Sequence, residues 1–138
     1  MTAKEYLMQY RAISARVRML QNEMERLRTE AESASISIDG LPKGGKGGSK
    51  MENIVVQLAD FETSLQDELS QVWRTRMQII DKLSQIKDVR HYEILRLRYL
   101  EGERWEQIAV DMDITWRHCY RLHGSALAEF EKILKKDS

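Results

Sequence analysis

Apolar residues in the first third of the chain fall along one narrow line. Tyr6, Tyr10, Ile13, Val17, Leu20, Met24, Leu27 and Ala31 recur at alternating steps of four and three, which is the heptad spacing of a helix that packs along a seam. A seam this narrow cannot hold a lone helix together, so the chain has to supply a partner helix. Met51, Ile54, Leu58, Phe61 and Leu65 keep the same spacing, and Leu69, Val72, Ile79, Leu83 and Ile86 continue it. The step from Leu65 to Leu69 shifts the phase, as a stutter would. Arg76 falls on the projected seam, while Trp73, Met77 and Ile80 widen the apolar side and predict a further neighbour, either the C-terminal segment or a second subunit. The expectation is a long antiparallel hairpin, 1–33 against 51–87. It closes within one chain or, alternatively, between two copies as a homodimer.

Between the two seams the composition changes. The stretch SASISIDGLPKGGKGGSK holds five glycines and Pro42, the only proline of the chain, and reads as a flexible Gly-rich linker over 34–50. Gly40 to Lys46 satisfies the G-x-x-x-x-G-K part of a phosphate-binding loop. Gly47 then stands where the hydroxyl residue belongs, and no strand precedes it, so the match carries no nucleotide site. Lys43, Lys46 and Lys50 suit a solubilising linker. The richness in Leu, Met, Glu, Lys, Gln and Arg, with one proline, predicts an all-α chain.

A second domain is expected over 88–138, as three helices. Asp88 is a candidate N-cap for a first one ending near Leu100, where Gly102 supplies a left-handed stop. A second, roughly Arg104 to Met112, puts Trp105, Ile108, Ala109 and Met112 on one face. Asp113-Ile114 is a turn, and Thr115 caps a third helix that buries Cys119, Leu122 and Ala126. The last two helices form a helix-turn-helix.

What the third helix leaves outside is informative. Trp116, Arg117, Tyr120 and Arg121 project from its first two turns, and no Asp or Glu occurs between Asp113 and Glu129. Helix N-termini attract phosphate. Arginine on such a surface suits a major groove, where it pairs bidentately with guanine, and the aromatic rings suit thymine methyls or sugars. Thr115, Trp116, Arg117, His118, Tyr120 and Arg121 are the candidate DNA-binding residues, with His118 or His123 as phosphate contacts. The competing structural account is a solvated helix face with its rings docked on the rest of the protein.

Other chemistry finds little support. Net charge is zero, which disfavours a non-specific DNA coater without touching a local reader. One cysteine, Cys119, permits no intramolecular disulfide and points to a reducing cytoplasm. No apolar run suggests a membrane span or a secretory leader. No nucleophile elbow or paired-carboxylate spacing stands out, so neither an enzyme nor a cofactor is expected. His118 and His123, five apart, miss the spacing of two metal ligands on one helix face.

The pattern LRYLEG-x-x-WEQIA followed by TWRHCYRLHGSAL resembles sigma-factor region four, which reads the upstream promoter element. The whole chain, from its MTAKEYL start to the YRLHG tail, is similar to small phage and prophage proteins of low-GC Gram-positive bacteria. These are catalogued as a domain of unknown function and grouped loosely with ArpU- and RinA-type phage transcriptional regulators. By that resemblance Thr115 matches the cap, Cys119 a buried aliphatic position and Ala126-Leu127 the closing core pair. Trp116, Arg117, Tyr120 and Arg121 match contacting positions. Asp113 departs from the usual turn glycine at little cost, and the aromatic pair departs from the family's contacts, so base preference does not transfer. The resemblance implies a sequence-specific transcriptional regulator acting on double-stranded DNA in the bacterial host cytoplasm. A helical adaptor for RNA polymerase or a phage protein, and DNA recognition in genome packaging, are the alternatives.

Overall fold

A computed structural model of the chain describes residues 1–39 and 46–137, and side chains for all of these but 34–39 and 46–49. Among the described residues the fold is all-helical, without a strand. Helix α1 spans Ala3–Asp39 and α2 spans Lys46–Leu83. Thr2 starts α1 through a reciprocal cap. Its hydroxyl accepts from the Glu5 amide at 3.1 Å, and the Glu5 carboxylate accepts from the Thr2 amide at 3.2 Å.

Both long helices overrun the linker expected at 34–50: residues 34–39 continue α1 and residues 46–50 begin α2. Once nucleated, a helix gains one hydrogen bond per added residue, which offsets weak formers such as Ser and Gly near an end. Residues 40–45, with most of the G-x-x-x-x-G-K match, lie outside the described residues.

The chain packs as two compact units, Met1–Ile13 with Val72–Ser138, and Ser14–Gln71. In the first, α3 (Val89–Leu95) starts at Asp88, whose carboxylate accepts from the Arg90 and His91 amides at 2.9 and 3.3 Å. It widens into a π-helical turn, Arg96–Leu100, closed by the Glu101 amide on the Arg96 carbonyl at 3.0 Å. Gly102 breaks the path at φ +70°. Helices α4 (Trp105–Met112) and α5 (Trp116–Lys136) follow. Leu7, Ile79, Leu83, Ile94, Leu95, Tyr99, Ile108, Cys119, Ala126 and Phe130 form the core. The ends of the long helices thus share a core with the C-terminal helices, and the expected division at 87/88 separates elements rather than cores.

Acidic groups on α5 fasten this unit. Glu131 accepts from the Ala3 amide at 2.8 Å. Glu129 accepts from the Lys87 amide at 2.9 Å and meets His91 Nδ1 at 2.7 Å. Asp137, just past α5, pairs with Lys82. Arg76, the charge on the projected seam, donates to the Tyr10 hydroxyl at 3.2 Å and faces Glu101 at 3.6 Å. A half-buried arginine is tolerated there because partners surround it.

The second unit is built from residues 14–39 of α1 and 46–71 of α2. Val17, Met24 and Ile54 are buried, and Leu20, Leu27, Leu58, Phe61 and Leu65 are half-buried. Arg16 pairs with Glu68 at 3.7 Å. The expected stutter is not observed. Leu69 is exposed, and Glu68 is the half-buried residue, so steps of three and four run on unbroken from Leu65 through Glu68 to Val72. One Glu68 oxygen is shielded without a donor, a destabilising feature in an otherwise apolar line. No helix among the described residues is long and apolar enough to cross a membrane.

Candidate nucleic-acid interface

Local chemistry sets the start of α5. Asp113 ends α4 in the left-handed region at φ 54°, ψ 50°, a conformation that Asp adopts more readily than most residues. The Asp113 and Ile114 amides return to the Val110 and Ala109 carbonyls at 3.1 and 3.0 Å, which closes α4. Two residues on, the Thr115 hydroxyl accepts from the His118 amide at 3.1 Å and caps α5.

Alternation along α5 then separates an inner from an outer face. Cys119, Leu122, Ala126 and Phe130 face the core, where burial pushes the Cys119 thiol up from its ordinary pKa. Trp116 and Tyr120 are 60% and 74% exposed, and Arg117 and Arg121 are exposed beside them. Neither arginine has an ion-pair partner among the described residues. Two open depressions mark this surface. One is lined by Thr115, His118, Arg121, Leu122 and Ser125, the other by Trp116, Arg117 and Tyr120. All six residues singled out from sequence line one or the other.

His123 does not join them. It turns inward, where Nε2 meets the Tyr99 hydroxyl at 2.8 Å and the ring packs edge-on against Trp105, centroids 4.5 Å apart. Burial first, then the charges of Lys4 and Arg98, lower its pKa to about 4. It is neutral at physiological pH and, half-buried, serves as a strut rather than a phosphate contact. Among the described residues no three His, Cys, Asp or Glu gather as a metal site requires.

Two basic residues beside the start of α4 escaped sequence reasoning. Arg98 lies over the Trp105 ring, 4.7 Å from its centroid, and donates to the Glu103 carbonyl at 3.0 Å. Arg104 is exposed at the start of α4, which no side chain caps. Neither belongs to a periodic pattern, because Gly102 interrupts the helical register between them.

These features define a protein, all-helical among the described residues, whose last two helices are joined by a tight turn and whose last helix starts with an acid-free aromatic and basic face. The sequence profile of a family described as protein of unknown function (DUF722) matches residues 4–132, and the chain belongs to that family. Comparison with curated proteins and with solved structures finds no match.

Proposed function

We propose that the chain is a sequence-specific DNA-binding regulator of phage or prophage type, with α4 and α5 as a sigma-region-four-like helix-turn-helix. The first two turns of α5 enter the major groove, with Arg117 and Arg121 on bases or phosphates and Trp116 and Tyr120 in apolar contact. One observation carries this: a capped helix start exposes two aromatic rings and two arginines, unpaired among the described residues, where no carboxylate occurs from Ile114 to Ala128. The long helices act as an antiparallel hairpin. Supporting this within Met1–Ile13 and Val72–Ser138, Tyr10 meets Arg76 while Lys82 acts on Tyr6, so positions fall along α2 as they rise along α1. A homodimer, pairing two heads on two half-sites, draws support from the exposed Trp73 and Met77.

A gel shift against duplexes from the host prophage promoter region tests the proposal. Wild-type binding should be sequence-specific and weaken steeply with salt. Arg117→Ala combined with Arg121→Ala should abolish it while shifting folding stability by no more than about 0.5 kcal/mol, as exposed substitutions do. Co-purification with polymerase without duplex binding would instead favour the adaptor, for which the depression between Trp116, Arg117 and Tyr120 is the supporting observation. Preference for packaging-site over promoter DNA would favour a packaging role.

A further inference from the structure

Among the described residues, ring-to-ring contacts join Tyr6 to Phe130, and Tyr99 and Trp105 to His123. Trp116 and Tyr120 do not meet in this way, although they stand four residues apart on α5. Side chains so placed are neighbours on one face, with Cβ atoms about 5–6 Å apart. The space they leave is an open depression of about 460 Å³, lined by Trp116, Arg117 and Tyr120. That volume is in the range of small-ligand clefts, roughly 300–1,000 Å³. Gly124 follows four residues on, and a Cβ there would meet nothing within 4 Å, so the ridge beyond Tyr120 is open as well.

Two rings at this spacing suit a flat ligand. A base held between them needs about twice the 3.4 Å rise of a strand, ~7 Å. The χ2 torsion of an aromatic side chain is soft, so turning the rings supplies the remaining ~1–2 Å. Charge then selects among flat ligands. Arg117 is in the lining, no carboxylate is, and none occurs in the sequence from Ile114 to Ala128. A cation seeking the ring faces, such as a methylated lysine, would meet that guanidinium and no countercharge. A nucleotide brings an anion to it. In the other depression of α5, Thr115, His118, Arg121 and Ser125 offer hydrogen-bond donors. Phosphates of the same strand can use them, whereas an apolar peptide would leave them idle.

We propose that Trp116 and Tyr120 clasp one unpaired base of a DNA strand, with Arg117 on its phosphate, so that α5 holds locally opened DNA more tightly than intact duplex. The inference rests on the proposed DNA binding by α5 and goes beyond it in naming the ligand of the rings. In a closed groove they reach only methyls and sugars, whereas a base out of its stack offers both faces. Freeing a paired base costs unstacking energy that a mismatched base has already lost.

Fluorescence anisotropy tests this with three labelled probes: an intact duplex, the same duplex with a central run of mismatched thymines, and the thymine-bearing strand alone. Wild type should bind the mismatched duplex roughly tenfold more tightly than the intact one. Trp116→Ala and Tyr120→Ala should each erase most of that preference, and Tyr120→Phe should keep it. Tyr120→Leu, apolar but not flat, should lose it. Melting temperatures should stay at the wild-type value, since both positions are exposed. Equal wild-type affinity for mismatched and intact duplex overturns the inference and spares the duplex proposal. Full preference retained in Tyr120→Leu also overturns it, by making the surface merely apolar, as a peptide-binding face would be. Melting temperatures lowered in both Trp116→Ala and Tyr120→Leu overturn it too, by assigning the rings a structural role. Binding to the mismatched duplex and the single strand, with none to intact duplex, supports the inference and removes the duplex proposal. Binding to none of the probes removes both.

Discussion

The two units reach stability by different means. In Met1–Ile13 with Val72–Ser138, side chains from all five helices close a core in which Leu7, Ile79, Ile94, Ile108, Cys119, Ala126 and Phe130 have no exposed surface. In Ser14–Gln71 a single seam is buried, among the described side chains, at Val17, Met24 and Ile54, and one of its positions is a carboxylate. Burial scales with the number of faces that converge, so a two-helix seam gains less per residue than a core closed from several sides. The residues proposed for DNA contact all stand on the better-buried unit, where a rigid support keeps them in place.

The largest way to break this contrast is Phe130→Ala. Its ring is fully buried and lies 5.8 Å, centroid to centroid, from that of Tyr6. The expected loss is about 3–5 kcal/mol in urea denaturation, against about 2 kcal/mol, the low end for a buried Met→Ala, for Met24→Ala in the thinner seam. Equal losses would erase the distinction. Native-state hydrogen exchange should show higher protection at residues 94–130 than at 14–39 or 46–71.

Acid sharpens it next, because all three histidines, 91, 118 and 123, lie outside Ser14–Gln71. Folded His123 stays neutral down to about pH 4, whereas in the unfolded chain it protonates near pH 6.5. Between those values the unfolded state binds the extra proton, so stability falls as pH drops. The ring is only partly buried, so solvent screening trims the expected loss from this residue to about 2 kcal/mol. Denaturation followed from pH 7 to pH 4 should show the fall, and His123→Gln should flatten it.

The smallest effect is Gly124→Ala. A Cβ there meets nothing within 4 Å and the position lies inside α5, so thermal melts should show a gain of about 0.5–1 kcal/mol. A loss would mean that the outer face of α5 is more crowded than described.

Features governed by neighbours in sequence were legible from it. Asp88 and Thr115 cap their helices, Gly102 and Asp113 take positive φ, and Cys119, Leu122 and Ala126 face inward, as their spacing predicts. The six residues of the candidate surface come from the same periodicity. The π-helical turn was not legible: Ile94, Leu95, Leu97, Tyr99 and Leu100 are all buried, and five inward positions in seven residues fit no single α-helical face. Glu68 on the seam was missed because charge argued for solvent. The inward turn of His123, and the long-range bonds of Glu129, Glu131 and Asp137, depend on residues distant in sequence. No local pattern encodes such partners.

Those three acids have a mechanical consequence. They tie one end of α5 to the beginning of α1, to the end of α2 and to the lead-in of α3, while the opposite end carries Trp116, Arg117, Tyr120 and Arg121. The helix is therefore a stiff spar with cargo at its tip and moorings at its stern. Whatever orients the tip also sets the heading along which residues 1–13 and 72–83 leave the head.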